Sequence, residues 1–450
     1  MLTGLMALWV DHAMWWHVYP LGFVGAPIRP EEGATDAVHH RLDRVGGWLD
    51  HIVELGLNGL ALGPVFASAT HGYDTTDHFR IDPRLGDDAD FDRLVATARE
   101  KGVRVLLDGV FNHVGRAHPA FRALEENGPD AETADLFRVD WNGWQPGAPV
   151  AAEVFEGHDA LVALDHSSPA VEQLVVDVMT HWLDRGADGW RLDAAYAVDP
   201  AFWARVLPRV RAQHPDVWIT GEVIHGDAAA IVAESTMDSL TQYELWQGIW
   251  HGLADANLFE TTHAIERNNA LLETFVPTTF IGNHDVTRIA SAVGDARHVP
   301  HAVALLLILA GTPMLYAGDE YGLRAVKEER LGGDDAVRPE FPASPPTDPT
   351  TLPGAGADAA MILAVHQELI ALRRRHPWLR TAQTDVVQVE NTSVSLRTAT
   401  GTDALVTVLN LADVPVSLPA AGATSVLAGA ATIAGDRAEL APHGWAVLGA

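Results

Sequence analysis

The strongest constraint on the fold of this 450-residue chain is a repeated alternation of strand-like and helix-like runs. Short apolar runs rich in β-branched residues recur through most of the chain, and stretches of helical period lie between most of them. This pattern predicts parallel strands joined by helical crossovers, since parallel strands need long connections. The predicted strands cover residues 16–19, 59–62, 103–107, 189–192, 217–220, 239–242, 278–281 and 313–316.

Eight strands that alternate with helices predict an α/β fold with a closed (β/α)8 TIM barrel. An open doubly wound sheet is the competing topology, but no glycine-rich phosphate turn follows the first strand. Two regions depart from this alternation of strands and helices. Residues 114–164 are rich in Gly, Pro, acids and aromatics. After residue 377, apolar and polar residues alternate with a period of two, as in an antiparallel strand. We therefore predict a barrel over residues 1–113 and 166–376, a lobe inserted after strand 3 over 114–165, and a C-terminal antiparallel β-sandwich over 377–450.

Composition narrows the class of partner. Lys and Arg total 30 against 60 Asp and Glu, a formal charge of −30, which argues against nucleic acid because such binding rests on a basic surface. There is no cysteine and so no disulfide framework. No apolar run is long enough to span a bilayer. The start, MLTGLMALWVDHAMWW, has neither a basic leader segment nor a small-residue cleavage site, so we expect a cytoplasmic protein without a membrane partner.

Three of the predicted strands end in an acid: Asp193 in GADGWRLDA, Glu222 in VWITGEVI and Asp285 in FIGNHDVTR. Burying a carboxylate is costly unless it is paired or used in chemistry. Successive barrel strands deliver their ends to one rim, and chemistry on a sugar acetal requires paired carboxyls. For any single acid, strand-end capping or an ion pair is the structural alternative.

Two of these acids follow neighbouring strands and suit a retaining glycosidase. Such enzymes hold two carboxyls about 5 Å apart, one as nucleophile and one as proton donor. Parallel strands lie about 4.8 Å apart, so Asp193 and Glu222, after strands four and five, can meet that spacing. Arg191 lies two residues before Asp193 and points to the same face of its strand. A guanidinium there would keep Asp193 ionised and oriented.

The chain resembles the α-amylase family (glycoside hydrolase family 13) over nearly its full length. Seven segments carry the resemblance in the same order: LGPVFASATHGYDTTDHF, DGVFNHVG, LVALDHSSP, GWRLDAAYAV, TGEVI, FIGNHDVTR and LYAGDEYG. The resemblance implies that Asp193 is the nucleophile, Glu222 the general acid/base and Asp285 the stabiliser of the transition state.

The resemblance also implies a set of residues that bind the sugar. His113 and His284 would donate hydrogen bonds to sugar hydroxyls, and Tyr73 would stack on the sugar on the non-reducing side of the scissile bond. Asp77 and Asp108 match positions with which the family organises this pocket. Arg191 completes the set of implied binding residues.

Departures from the family pattern bear on metal binding and on substrate length. Many members bind calcium through the Asn of the NH pair, an acid of the lobe and a His after the nucleophile. Asn112 and Asp165 are available here, but Tyr196 and Ala197 replace the family's Lys-His. Calcium takes six or more oxygen ligands, so we expect no required cofactor, with calcium as the alternative. Loss of the Lys removes a contact to the sugar on the reducing side and argues against a long-polymer amylase.

The segment GWRLDAAYAV resembles the corresponding segment of cyclomaltodextrinases and neopullulanases most. Those enzymes also have an N-terminal β domain. We do not expect this domain here, because the barrel begins with WWHVYPLGF. The small Ala194 matches glucosidases of α-1,4 preference. The resemblance thus implies a retaining hydrolase of α-1,4 bonds, and also of α-1,6 bonds, in small linear or cyclic maltooligosaccharides. A transglycosylase or isomerase on the same scaffold is the alternative. A non-catalytic sugar-binding or transporter-associated protein is less favoured because all three carboxylates are present, and a homo-oligomer is left open.

Overall fold

The computed structural model describes residues 8–30 and 37–450. Eight parallel strands form a (β/α)8 barrel and an antiparallel β domain follows it, which confirms the predicted fold class. The described residues fall into two compact units, the first built from Tyr19–Leu49 and Leu60–Asp238, the second from Trp9–Val18, Asp50–Gly59 and Ser239–Ala450. The prediction drawn from the start of the chain rests partly on residues 1–7, which lie outside the described part.

The strands follow one another in short segments. In chain order they are β1 (Trp15–Val18), β2 (Gly59–Leu62), β3 (Phe66–Ser68), β4 (Thr75–Ile81), β5 (Arg104–Gly109), β6 (His113–Gly115), β7 (Val139–Asp140), β8 (Ala151–Ala152), β9 (Leu161–Ala163), β10 (Gly189–Leu192), β11 (Trp218–Gly221), β12 (Ser239–Leu240), β13 (Thr278–Thr279), β14 (Thr312–Tyr316), β15 (Gln383–Glu390), β16 (Ser393–Thr400), β17 (Asp403–Asn410), β18 (Val416–Pro419), β19 (Ser425–Gly429), β20 (Thr432–Ala434), β21 (Arg437–Leu440) and β22 (Trp445–Gly449).

The α-helices lie mostly between the barrel strands. They are α1 (Pro20–Phe23), α2 (Leu42–Gly46), α3 (Leu49–Leu55), α4 (Asp88–Glu100), α5 (Pro119–Asn127), α6 (Pro169–Asp184), α7 (Pro200–Gln213), α8 (Ala228–Ser235), α9 (Tyr243–Ala254), α10 (Leu258–Leu271), α11 (Ile289–Ala292), α12 (Val299–Ile308) and α13 (Ala359–Arg375).

The eight predicted barrel strands are all present, with ends that differ by at most two residues. The side chains of Ser168 and Asp199 cap the starts of α6 and α7, each directly ahead of a proline. Residues 38–56 have a helical period of apolar residues, but they form two helices, α2 and α3, that are divided at Gly46 and Gly47. Two consecutive glycines lower helix stability enough to allow this break.

The register between β5 and β10 places Arg191 directly beside Asp108. At the opposite end of the same strand pair, Asp188 fixes the start of the ladder. Its backbone N donates to the carbonyl of Val105 at 2.8 Å, and its carboxylate accepts from the Val105 N at 2.9 Å. Arg104 donates to the other carboxylate oxygen at 2.6 Å. Both ends of β10 therefore carry an acid beside an arginine.

The chain between β5 and α6 makes a small excursion that leaves and returns at one place. β6 and β9 pair antiparallel, with His113 opposite Ala163. The backbone N of Leu164 donates to the carbonyl of Asn112 at 3.1 Å. Two short strands, β7 and β8, pair farther along. The excursion is thus anchored next to the end of β5.

The C-terminal strands form a sheet of five and a sheet of three. Both sheets contribute to one buried apolar core: Val406, Val408, Ala446 and Leu448 from the larger sheet, and Leu418, Ala438 and Leu440 from the smaller. All ten residues of α12 are buried, and His301 on this helix donates to the carbonyl of Asn410 at 3.2 Å. None of the helices described is both long and apolar enough to cross a membrane.

A buried arginine of α13 closes the end of α12. Arg373 is 5% exposed and donates to the carbonyls of Leu307, Leu309 and Gly311 at 2.7, 2.9 and 2.7 Å. The last carbonyls of a helix have no partner within the helix and carry partial negative charge, so a cation there is stabilising.

We predict that Arg373→Leu lowers the free energy of unfolding by about 3 kcal/mol, because three buried carbonyls lose a charged donor. The urea midpoint followed by circular dichroism measures this. Arg375→Leu, two residues on and exposed, is the matched control and should change stability by less than about 0.5 kcal/mol. Equal effects of the two variants would contradict the role given to Arg373.

Candidate active site

One guanidinium in the first unit contacts three carboxyl groups. Arg191 Nη1 lies 2.8 and 2.7 Å from the two oxygens of Asp108 and 2.9 Å from Asp193 Oδ1. Its Nη2 lies 2.7 Å from Glu222 Oε1. Asp108, Asp193 and Glu222 are 0%, 8% and 6% exposed. The acids predicted for strands four and five therefore lie close together, and a third buried acid joins them.

The backbone explains why the two strand-end acids are neighbours. The N of Asp193 donates to the carbonyl of Gly109 at 3.0 Å, and the N of Glu222 donates to the carbonyl of Leu192 at 2.8 Å, so the parallel ladder continues to the acids themselves. Ala194 then turns the chain with a left-handed φ of 45°, and its N donates to Glu222 Oε2 at 3.1 Å. Such a conformation costs energy in a residue other than glycine and is characteristic of functional sites.

The charges of this cluster do not balance if every carboxyl is ionised. Burial raises the pKa of Asp108 to about 6. Burial likewise raises the pKa of Asp193, with Arg191 opposing the rise and the charges of Glu222 and Asp108 adding to it. Burial alone would lower the pKa of Arg191, but the carboxylates raise it well above its usual value. One permanent cation thus faces three acids, and the coupled cluster retains a proton where isolated carboxyls would lose theirs.

Tyr73 and His113 lie beside this cluster. The Tyr73 hydroxyl donates to Asp108 Oδ2 at 3.3 Å. His113 Nε2 donates to the carbonyl of Tyr73 at 3.0 Å, its Nδ1 lies 3.1 Å from Asn112 Nδ2, and its ring stacks on Phe155 at 4.8 Å. Burial lowers the pKa of His113 to about 4, so the ring is neutral. Both ring nitrogens are engaged within the chain, and the contact that His113 makes here positions Tyr73.

Asp77, the remaining predicted binding residue of this unit, makes a local contact. It lies in β4 opposite Ala67, and its Oδ1 accepts a hydrogen bond from the backbone N of Phe79 at 2.9 Å. No contact joins it to the Arg191 cluster within the first unit as described. Its predicted role in the pocket remains a prediction.

Tyr196, which replaces the family's Lys, connects β10 to the excursion after β5. Its backbone N donates to the carbonyl of Glu222 at 3.3 Å, and its hydroxyl donates to Glu156 Oε1 at 2.8 Å. Burial and the Glu156 carboxylate raise the pKa of Tyr196, so its hydroxyl stays protonated. The ring of His225 lies 5.0 Å away. A neutral aromatic group therefore stands where the family has a cation.

Asp285, in the second unit, is held by two partners. His284 Nε2 lies 3.0 Å from Asp285 Oδ2, and Arg338 Nη2 lies 2.7 Å from Oδ1. Arg338 also donates to the carbonyl of His284 at 2.8 Å and pairs with Asp334. The carboxylate itself is 37% exposed. The two predicted residues of FIGNHDVTR thus contact one another, and an arginine from a later loop fixes both.

A buried ion pair positions the segment that carries Asp285. Arg288 and Asp319 are each 1% exposed and lie 2.9 Å apart. Arg288 also donates to the carbonyls of Ala317 and Val337 at 2.7 and 2.9 Å, and its guanidinium lies 4.0 Å from the ring of Tyr316. Burial raises the pKa of Asp319 to about 6. These bonds tie the segment to the end of β14.

Sequence reasoning missed Arg338 and Glu156, whose contacts are set by loops. Arg338 follows Asp334 by four residues in the turn-rich stretch GGDDAVRPEF, and that spacing indicates only a local pair. Glu156 has a left-handed φ of 48°, which no sequence pattern announces. At neither position does the sequence indicate which distant residue the side chain contacts.

The residues considered for calcium do not form a site that fits this ion. Asp165 Oδ1 accepts from the backbone N and the hydroxyl of Ser167 at 3.0 and 2.7 Å, and Arg138 Nε lies 3.8 Å away. The Asn112 amide group faces His113. Calcium needs six or more oxygens, and these two candidate side chains supply too few of them.

The chain is similar to known proteins over most of its length. Residues 41–353 match the family of the α-amylase catalytic domain. The chain is 30% identical over 347 residues to a cyclomaltodextrinase of Geobacillus thermopakistaniensis, covering 73% of this chain and 58% of that protein. It is 28% identical over 338 residues to the intracellular maltogenic amylase of Bacillus subtilis, covering 70% and 56%. The chain thus spans less than two thirds of the length of either relative.

A solved structure matches over nearly the whole chain. It is the ligand-free form of the cyclic α-maltosyl-(1→6)-maltose hydrolase of Arthrobacter globiformis, with a TM-score of 0.81, 25% identity and 99% coverage of both chains. The family match extends over well more than half of the residues. The chain therefore belongs to the α-amylase family.

Proposed function

We propose that this protein is a retaining glycoside hydrolase that cleaves α-glucosidic bonds in small linear or cyclic maltooligosaccharides. One observation carries the proposal: Arg191 holds the carboxyls of Asp193 and Glu222 together at the ends of adjacent strands. A pair of close carboxyls, with a proton retained between them and Asp108, supplies both a nucleophile and an acid.

Each residue of the pair has one role in a double displacement. Asp193 attacks the anomeric carbon and forms a glycosyl ester, while Glu222 gives its proton to the departing glycosidic oxygen. Glu222 then takes a proton from water, whose oxygen attacks the anomeric carbon and releases Asp193 with a second inversion. Arg191 orients both carboxyls, and its charge favours the ionised form of Asp193.

Asp285 is proposed as the stabiliser of the transition state, on the strength of its match to the family motif. Its carboxylate would bind sugar hydroxyls as the ring flattens and gains positive charge. Arg338 and His284 fix the direction of this carboxylate through the contacts given above.

The proposed substrate class follows from the pocket residues and from the relatives. Tyr73 offers an aromatic face for a glucosyl ring, and Tyr196 offers a neutral group where the family has a lysine. The names of the relatives refer to cyclic maltodextrins and to a cyclic sugar with 1→6 bonds. We therefore propose α-1,4 hydrolysis extended to α-1,6 bonds, in the cytoplasm as the name of the Bacillus subtilis relative suggests, and without a required metal.

A product screen with a nucleophile variant tests this proposal. We expect the protein to hydrolyse maltotriose, cyclodextrins or pullulan with retention at the anomeric centre. NMR measures the anomeric configuration, and chromatography identifies the products. Asp193→Asn should lower kcat by at least about 10³-fold, because the attacking carboxylate is lost. Asp184→Asn, at the end of α6 with a side chain that is 71% exposed, is the control and should retain turnover. Inverted products, longer products, or full activity in Asp193→Asn would each contradict the proposal.

The charge of Asp108 should set the acid side of the pH profile. Asp108 raises the pKa of Asp193 by repulsion, so Asp108→Asn should lower that pKa and move the acid limb of kcat/KM to lower pH. The control is Asp77→Asn, which removes a carboxylate that contacts the backbone of Phe79 and not the cluster, and it should leave the limb in place. A shift to higher pH in Asp108→Asn would show that the coupling has the opposite sign.

Removal of metal should leave catalysis intact. After dialysis against EDTA, kcat/KM measured well below the melting temperature should stay within about twofold of its starting value, and added Ca²⁺ should not raise it. Asp165→Ala should behave like the parent protein in the same assay. Loss of activity that Ca²⁺ alone restores would establish a calcium site and overturn this expectation.

A further inference from the structure

A cluster of histidines and acids that the proposed mechanism does not use lies between α12 and the loop before β22. His298 Nε2 and His443 Nδ1 face each other at 2.9 Å. A carboxylate oxygen of Asp295 joins them, and the three candidate ligand atoms lie within 4.8 Å of one another. His298 is 6% exposed, and the His443 side chain is 9% exposed.

The protonation of His443 is fixed by an acid behind it. His443 Nε2 lies 2.7 Å from Asp413 Oδ1, and because a carboxylate only accepts, this nitrogen carries the proton. In the neutral ring, Nδ1 then presents its lone pair toward His298. A carboxylate that bonds the outer nitrogen of an imidazole is the usual support of a metal-ligating histidine, since it fixes the tautomer and the ring direction.

Asp295 is also oriented before any ion arrives. Its Oδ1 accepts from the backbone N of Arg297 at 2.9 Å, and the Arg297 guanidinium bonds both oxygens at 2.6 to 3.0 Å. These contacts come from three N–H groups of Arg297, one of which is shared between the two oxygens. A carboxylate has about four acceptor positions, so one remains for a further partner. Behind His298 lies the fully buried ring of His301, 5.2 Å away.

We propose that His298 Nε2, His443 Nδ1 and Asp295 bind a divalent transition metal ion of the Zn²⁺ type, with water as the fourth ligand. Two imidazoles and one carboxylate suit Zn²⁺, which prefers four ligands at about 2.0–2.2 Å in tetrahedral geometry. That geometry separates two histidine nitrogens by about 3.3 Å, so the rings need to part by only about 0.4 Å from their present contact.

The site would join two parts of the second unit. Asp295 and His298 belong to the 3-10 turn that leads into α12, whereas His443 lies in the loop that leads into β22, a central strand of the five-stranded sheet. Binding that requires both segments in place stabilises the folded state against the unfolded one. The ion would therefore act as a clamp between α12 and the C-terminal β domain.

Calorimetry on the full-length chain, freed of metal with a chelator, tests the site. We expect one equivalent of Zn²⁺ to bind and the melting temperature to rise. His443→Gln and His298→Gln should weaken binding at least tenfold, and Co²⁺ should give the visible absorption of a tetrahedral nitrogen–oxygen site that both variants lose. The control is His40→Ala, because His40, Asp87 and Asp90 form the other such group among the described residues, and its acids already serve the capping box of α4.

A second variant separates loss of the site from loss of the fold. Asp413 is 87% exposed, so Asp413→Asn should fold normally, yet it should weaken Zn²⁺ binding by about 10- to 100-fold because it removes the carboxylate behind His443. Unchanged binding in His443→Gln and in Asp413→Asn would overturn the proposal. So would the absence of a stoichiometric Zn²⁺ signal in the parent protein, or binding that disappears in His40→Ala.

Discussion

The guanidinium of Arg191 is the group on which the chemistry of the first unit depends. Three carboxyl groups cannot be buried side by side without a cation, because each charge loses its hydration and the charges repel one another. Arg191 contacts all three, yet it carries one charge against three acids. The imbalance is what keeps a proton in the cluster, and a retained proton next to an ionised carboxylate is the requirement of acid-assisted displacement.

The barrel strands, and Asp193 and Glu222 at the ends of two of them, could be predicted because short-range patterns determine them, whereas Asp108 was implied by the family resemblance alone. Runs of β-branched residues gave the barrel strands, and the two-residue period of a strand placed Arg191 and Asp193 on one face. The same segment also shows the limit of such reasoning. GADGWRLD contains Asp188 and Asp193, two acids at two ends of one strand, and only the second lies in the cluster. Charge at a strand end alone does not separate a structural acid from a reactive one.

What could not be predicted depends on loops and on competition among polar groups. Arg338 reaches Asp285 across 53 residues, and Glu156 reaches Tyr196 across 40; neither spacing follows from a periodic pattern. The contacts of His113 to a neighbouring carbonyl and amide also follow from no pattern, and its hydrogen bond to a sugar stays a prediction. The period of apolar residues over 38–56 indicates a helix, but it does not show that Gly46 and Gly47 divide it into α2 and α3.

The bonds of Asp188 to Val105 and Arg104 have a consequence for the opposite end of β10. A slip of one residue between β10 and β5 would turn every side chain of one strand to the other face, and Arg191 would then point away from Asp108. The backbone N of Asp188 donates to the carbonyl of Val105, and its carboxylate accepts from the N of Val105. Both bonds go to one residue of β5, so they fix the alignment of the two strands. An acid that never meets the substrate would thereby decide, during folding, whether a reactive cluster can assemble at all.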